Sequence, residues 1–134
     1  MNFSVIDETS SLKSVIIGIA NNLGGIPKLE DLYDPKSMEN LKLGNYPLES
    51  DLIIELENFS NVLKKYVVLV HRSKNIDNCN QIFTRDVGFV IDNYFFKSNI
   101  LPKRNKEFDG IKRIINSFNG EIINIPEKVH VEGG

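Results

Sequence analysis

The sequence predicts an α/β fold built from repeated units of strands, helix and strand. Two stretches of the chain match each other, and each is an amphipathic helix followed by an apolar strand. Six apolar positions of the first stretch have a counterpart 55 residues later: Leu56 with Ile111, Phe59 with Ile114, Leu63 with Phe118, Val67 with Ile122, Val68 with Ile123, and Val70 with Ile125. Repeats of this size are typical of propeller-like or stacked arrays. A single α/β layer sandwich that is complete in itself is the alternative.

The first unit begins with a strand. Residues 1–11 are polar and predict a short lead-in, whereas 14–20 form an apolar run that predicts a central strand buried on both faces. Residues 26–49 contain three prolines and predict irregular chain, with one or two helical turns at 37–43. Because loops of this length usually carry a function or a short element, this segment is either a functional loop or an insertion.

A helix over 50–66 and a strand over 67–70 complete the first unit. The helix has acidic residues at its start and lysines at its end, as the helix dipole favours. Apolar residues at steps of four and three predict its buried face: Leu52, Leu56, Phe59, Leu63 and Tyr66.

The second unit opens with strands at 87–91 and 94–97. A helix over 102–118 follows, and a strand at 121–125 closes the unit. The last segment, 129–132, is predicted to begin a further strand. Apolar side chains predict the buried face of the helix: Phe108, Ile111, Ile114, Ile115 and Phe118.

Two carboxylates stand at strand boundaries, where a charge is costly unless something pairs with it. Asp86 follows Arg85 at the start of a strand, and Glu132 lies between an apolar segment and two glycines. We interpret them as one site, because two carboxylates facing a cavity would bind a planar guanidinium in a fork-to-fork geometry. The structural alternatives are an internal pair with Arg85 or a turn cap for Asp86, and an ordinary surface position for Glu132.

Composition narrows the classes of protein to which the chain can belong. Its 134 residues, 41% of them hydrophobic, suffice for one domain with a core. The net charge of -2 argues against a nucleic-acid partner, and the basic cluster 103–106 is interpreted as a solvated helix start. No apolar run is long enough to span a membrane, and 1–4 show no signal peptide, so no membrane partner is expected. The single cysteine excludes an internal disulfide and predicts a cytoplasmic protein.

Other reactive side chains give weaker patterns. Cys79 with His71 or His130 would make a thiol–imidazole pair, but no nucleophile motif surrounds Cys79, which we interpret as structural. Neither histidine has partners at metal-ligand spacing, so no metal is expected. Residues 23–25 lack the Lys-Ser/Thr of a phosphate-binding loop.

Taken together, these residues resemble the guanidine-modifying enzyme superfamily, which includes amidinotransferases, arginine deiminases and dimethylarginine dimethylaminohydrolases. The resemblance rests on residues 83–86, Phe-Thr-Arg-Asp before an apolar strand, and on 129–134, Val-His-Val-Glu-Gly-Gly. It extends to 13–18, 33–37 and 45–47, and therefore covers nearly the whole chain. An amidinotransferase-like branch is the most similar.

The resemblance implies a pentein-type α/β-propeller in which five ββαβ blades surround a channel. Residues 1–134 would be the N-terminal part of this domain and would hold about two of its five blades. The first blade would span about 12–71, the second about 80–126, and a third would begin at 127–134.

The resemblance also implies roles for the two carboxylates. Asp86 would bind the guanidinium of a small substrate such as arginine, and Arg85 beside it would also be a substrate-binding residue. Glu132 would orient the catalytic histidine. In these enzymes a cysteine attacks the guanidine carbon to form a covalent intermediate, the histidine moves the protons, and no cofactor takes part.

The chain departs from the family pattern at the reacting groups. The family's histidine motif and nucleophilic cysteine follow the Glu-Gly-Gly segment, and neither His130 nor Cys79 stands at a matching position. We therefore expect these 134 residues to be inactive alone, and to self-associate or pair with a missing C-terminal part. A non-catalytic binding module of the same fold and one half of a split enzyme are the alternatives.

Overall fold

The computed structural model describes residues 2–66 and 69–131. Their helices and strands, in chain order, are β1 (Ser14–Ile17), α1 (Pro35–Lys42), α2 (Glu49–Leu63), β2 (Leu69–Arg72), the one-turn helix α3 (Thr84–Val87), β3 (Gly88–Ile91), β4 (Tyr94–Lys97), α4 (Lys106–Ile115) and β5 (Glu121–Asn124). Short 3-10 turns at Leu29–Asp31 and Pro102–Arg104 precede α1 and α4. The predicted α/β class is confirmed.

Two small sheets account for the strands. β1 and β2 pair in parallel, with Ser14 opposite Leu69, and α2 lies in the connection between them. In the second sheet β3 and β4 form an antiparallel hairpin, and β5 joins β4 in parallel after α4. The second unit therefore has the order ββαβ. The number of blades and their boundaries stay predictions.

The core lies between α4 and the second sheet. Its buried members are Phe3, Val87, Phe95, Ile111 and Ile115. This arrangement confirms the predicted apolar face of α4, on which Ile111 and Ile115 are the most deeply buried residues. Because Val87 belongs to this core, the turn that carries Asp86 is fixed to it.

The N-terminal segment is not the polar lead-in that the sequence predicts. Phe3 is buried and stacks on Phe118, with ring centroids 5.1 Å apart. Val5 exchanges two backbone hydrogen bonds with Asp92, at 3.0 and 2.7 Å. The segment therefore packs against the second unit, because one aromatic side chain outweighs the polarity of its neighbours.

The predicted buried face of α2 is partly wrong. Ser60 is the deeply buried residue of this helix, with 1% of its surface exposed, whereas Tyr66 just beyond the helix is 78% exposed. Phe59 is also exposed, while Leu56 and Leu63 are half-buried. α2 thus turns the side of Ser60, rather than that of Phe59, toward the interior.

Two further strand predictions change. Residues 84–87 form the turn α3, so the strand begins at Gly88, and Ile91 at its end is exposed. At the other end, residues 129–131 are not a strand, and Glu132 lies outside the described residues. The predicted strand at 67–70 begins at Leu69 in the described part, because 67 and 68 also lie outside it.

Candidate functional site

The turn α3 is held in place by β1 and β4. Thr84 donates a hydrogen bond from Oγ1 to the carbonyl oxygen of Ile16, at 3.2 Å. The amide of Ser98, just beyond β4, donates to the carbonyl of Val87, at 3.0 Å. Asp86 lies between these two attachments, so its backbone is fixed relative to both sheets.

Gln81 anchors the segment that enters this turn. Its buried side-chain amide donates to the carbonyl of Lys74 and accepts from the amide of Ile76, both at 2.8 Å. Its backbone carbonyl accepts from the amide of Ile19. This approach requires a glycine at position 18, because a Cβ there would collide with the carbonyl of Gln81.

The Asp86 carboxylate forms an ion pair with Arg104, which is the last residue of the 3-10 turn before α4. Arg104 Nη2 lies 3.1 Å from Asp86 Oδ2. The same guanidinium makes two hydrogen bonds to Glu107, from Nε to Oε1 at 2.6 Å and from Nη2 to Oε2 at 2.8 Å. We call Asp86, Arg104 and Glu107 the carboxylate triad. Its side chains are 21%, 14% and 6% exposed, respectively.

The carboxylate triad keeps an excess negative charge. The two carboxylates and one guanidinium of the triad have a formal net charge of -1, and the exposed Arg85 guanidinium lies beside them. The hydrogen bonds to Glu107 raise the pKa of Arg104, so it stays protonated. Within the described residues Asp86 Oδ1 accepts no hydrogen bond, and Arg85 Nε lies 3.9 Å from it. Oδ1 can therefore accept a further hydrogen bond, but the exposed Arg85 guanidinium already forms a long ion pair with it.

Arg104 is the residue that sequence reasoning missed. The basic cluster 103–106 was expected to be solvated, but the Arg104 guanidinium is largely buried against two carboxylates. One sequence feature that indicates a buried Arg104 is Glu107, a possible partner three residues later at the start of an apolar helix face. The other feature is Asp86, a charge at a strand boundary that requires a partner and lies far from Arg104 in the sequence.

An aromatic side chain lies near the carboxylate triad. Burial raises the pKa of the Tyr33 phenol, and the positive charge of Arg104 opposes that rise. Lys103 stands over the Tyr33 ring, with Nζ 4.1 Å from the centroid, and donates to the carbonyl of Asp31 at 3.2 Å. The segment before α1 is thereby joined to the segment that carries Arg104.

The structure brings two of the three predicted site residues together. Asp86 is half-buried in α3, and Arg85 is its exposed neighbour, with 71% of the side chain in solvent. The internal pair with Arg85, the structural alternative for Asp86, is present as the longer of its two ionic contacts, at 3.9 Å against 3.1 Å for Arg104. The structure does not test the predicted pairing of Asp86 with Glu132, which lies outside the described residues.

Two other reactive side chains, Cys79 and His71, are buried or half-buried. Cys79 is a buried free thiol, and burial raises its pKa, which lowers its reactivity as a nucleophile. His71 lies in β2 and makes a T-shaped ring contact with Phe118, at a centroid distance of 5.6 Å. Residues 2–66 and 69–131 contain no group of three metal-ligating side chains. Nor does any of their helices have the length and apolar character needed to cross a membrane.

A polar hollow of about 380 Å³ lies beside the turn that follows β1. Its lining residues are Asn22, Gly24, Gly25, Glu49, Asp77 and Asn78. Glu49 accepts from the amides of Asn22 and Leu23, both at 3.0 Å, so this carboxylate is used to hold the turn. Asp86 is not among the lining residues.

Solved structures of arginine- and amidino-processing enzymes share the fold of the chain. No protein-family model and no curated protein sequence matches it. The amidinotransferase SxtG of the saxitoxin pathway in Microseira wollei matches 93% of the chain with a TM-score of 0.64 and 19% identity. The apo arginine dihydrolase ArgZ of the cyanobacterial ornithine–ammonia cycle matches 90%, with a TM-score of 0.68 and 14% identity. The product-bound N-terminal domain of ArgZ matches 91%, with a TM-score of 0.66 and 15% identity.

The chain spans less than half of each of these proteins. It covers 42% of the SxtG chain, 17% of the apo ArgZ chain and 42% of the ArgZ N-terminal domain. At these identities the likeness shows a shared fold. The mixed α/β architecture of the chain is therefore one that amidinotransferases and arginine dihydrolases use.

Proposed function

We propose that the chain is the N-terminal portion of a guanidine-modifying enzyme, and that Asp86 binds the substrate guanidinium. The carboxylate triad carries this proposal, because its formal net charge is -1 and because its Asp86 carboxylate is fixed and partly exposed. The fold shared with SxtG and ArgZ supports the proposal. We further propose that this fold is a pentein-type propeller, of which the chain supplies about two of five blades.

The chemistry of a guanidinium explains why such a holder is needed. The cation is planar and stabilised by resonance, so it is a poor electrophile until it is fixed and a thiolate attacks its carbon. Asp86 Oδ1 can accept one of its N–H groups. Arg85 repels a guanidinium, so we assign it to an anionic group elsewhere on the substrate. Glu132 keeps its proposed role of orienting a histidine.

Turnover requires a nucleophilic thiol and a catalytic imidazole, and we assign neither role to a residue of this chain. Cys79 is buried with a raised pKa, which is the opposite of an activated nucleophile. We therefore assign substrate binding, and not the covalent step, to these 134 residues. The choice between hydrolysis and amidino transfer belongs to the residues that supply the thiol and the imidazole.

One observation favours a non-catalytic module instead. Asp86 is already paired with a guanidinium of its own chain, as a purely structural carboxylate would be. If that pairing exhausts the binding capacity of Asp86, the chain will not recognise free guanidines. The two functions therefore differ in a measurable property, the binding of arginine.

A nuclear magnetic resonance titration separates them. The ¹⁵N-labelled chain is titrated with L-arginine and, as a matched control, with L-citrulline, whose neutral ureido group has a similar shape. We expect arginine to shift the amide signals of 84–88 with a dissociation constant of about 1–10 mM, and citrulline to leave them unchanged. Equal responses to both compounds, or no response to arginine, would contradict a guanidinium site.

A further inference from the structure

The outer side of α2 carries apolar side chains that stay largely in solvent. Four of them are between 50% and 78% exposed: Leu48, Phe59, Val62 and Tyr66. They do not belong to the side that attaches α2 to the rest of the molecule. That side is marked by the buried Ser60 and by an ion pair of 2.9 Å between Glu57 and Arg72 of β2. A group of exposed apolar side chains on one helix is typical of an interaction surface.

The corresponding helix of the second unit has no such surface. α2 and α4 occupy the same place in their units, since each connects two parallel strands. The exposed residues of α4, however, are all polar: Lys106, Asp109, Lys112 and Arg113. The apolar outer side is therefore not a general property of the repeated unit, and it indicates a partner that contacts α2 specifically.

The spacing of the apolar residues indicates that this partner is a helix. Positions 48, 52, 55, 59, 62 and 66 follow one another in alternating steps of four and three, which is the repeat of a seam between two helices. We call these six residues the α2 seam: Leu48, Leu52, Glu55, Phe59, Val62 and Tyr66. Glu55 is its only charged member.

The charges beside the α2 seam indicate that the partner helix is an antiparallel copy of α2. Asp51, in the first turn, and Lys65, just after the helix, are two heptads apart and therefore lie on the same flank of the seam. Two parallel copies would place Asp51 beside Asp51 and Lys65 beside Lys65. In an antiparallel pair the acidic start of each helix instead lies beside the basic end of the other, and a two-fold axis makes this contact occur twice.

We propose that the α2 seam is the interface of a two-fold symmetric dimer of this chain, in which the two α2 helices pack antiparallel. Phe59 lies near the middle of this interface, and Leu48 of one copy meets Tyr66 of the other at each end. The inference goes beyond the proposed function, because it uses no residue of the carboxylate triad.

Sedimentation equilibrium of the full chain measures the dimer. We expect a dissociation constant of about 10–100 µM. Val62→Glu introduces a charge into the α2 seam at a half-exposed position, where the fold tolerates it, and should weaken the dimer by at least about tenfold. Ile6→Glu is the matched control, because Ile6 is a 75% exposed apolar residue of the N-terminal segment, and it should leave the dissociation constant unchanged.

Charge reversal tests the antiparallel arrangement. Asp51→Lys and Lys65→Glu should each weaken their own dimer by about fivefold, because each variant places like charges side by side at both ends of the interface. Mixing the two variants in equal amounts restores opposite charges at both ends. The resulting heterodimer should therefore be about as tight as the dimer of the unmodified chain.

Four results would overturn the proposal. They are a monomeric unmodified chain, an undiminished dimer of Val62→Glu, a heterodimer no tighter than the dimers of its two variants, and a heterodimer clearly tighter than the unmodified dimer, which is the result expected of parallel helices. None of these results bears on arginine binding, so the proposed function is tested separately.

Discussion

Replacing Arg104 with methionine is expected to lower the free energy of unfolding by about 3–5 kcal/mol. The substitution keeps much of the side-chain volume but leaves the 6% exposed Glu107 carboxylate without its cation. A buried charge without a partner costs more than the pair contributes, because the desolvation penalty stays when the attraction is lost. Urea denaturation followed by circular dichroism measures the change.

Two comparisons show whether the loss comes from the ion pair. Arg113→Met removes an exposed arginine from α4, the helix that carries Glu107, and should change the free energy of unfolding by no more than about 0.5 kcal/mol. The double variant Arg104→Met/Glu107→Leu should be more stable than Arg104→Met alone, since no charge is then left unpaired. Equal losses for Arg104→Met and Arg113→Met would show that the pair has no such role.

Ile115→Ala is expected to cost about 2–5 kcal/mol. Ile115 is 1% exposed and packs in the core with Phe3 and Val87, so the truncation leaves a cavity that its neighbours fill only in part. Because Val87 directly follows Asp86, a loosened core should also broaden the amide signals of α3. Urea denaturation with an unchanged m-value measures the loss.

The neighbouring isoleucine of the same helix is the matched control. Ile114 is only half-buried, so Ile114→Ala should cost about 1 kcal/mol or less. A loss for Ile114→Ala that equals or exceeds that for Ile115→Ala would contradict the assignment of the core to this face of α4.

Much of the fold follows from local pattern. The aromatic run after the turn at Asn93 and the spacing of Ile111 and Ile115 predict β4 and the inner face of α4, and both are confirmed. The face of α2 is different, since its apolar side chains cover more than one side and contacts distant in sequence decide which side is buried. Phe3 was missed for a similar reason, because its partner Phe118 lies far along the chain.

The candidate site was only partly predictable. Asp86 stood out as a charge at a strand boundary, and the FTRD segment pointed to guanidines by resemblance. Arg104 did not stand out, because its sequence neighbours Lys103 and Lys106 make the cluster look like a solvated surface. Its partner Asp86 lies 18 residues earlier in the chain, so the contact forms only through the tertiary fold and leaves no local pattern in the sequence.

The central claim is that Asp86 itself holds the guanidinium, and one substitution tests it most directly. Asp86→Asn keeps the size of the side chain and an oxygen that can accept from Arg104, but removes the charge. Asp92→Asn is the control, because Asp92 is an exposed carboxylate in the turn at the opposite end of β3, where asparagine adopts the positive φ readily. In the arginine titration we expect Asp86→Asn to weaken binding by at least about tenfold and Asp92→Asn to leave it unchanged. Equal affinity of Asp86→Asn and the unmodified chain for arginine would contradict the account.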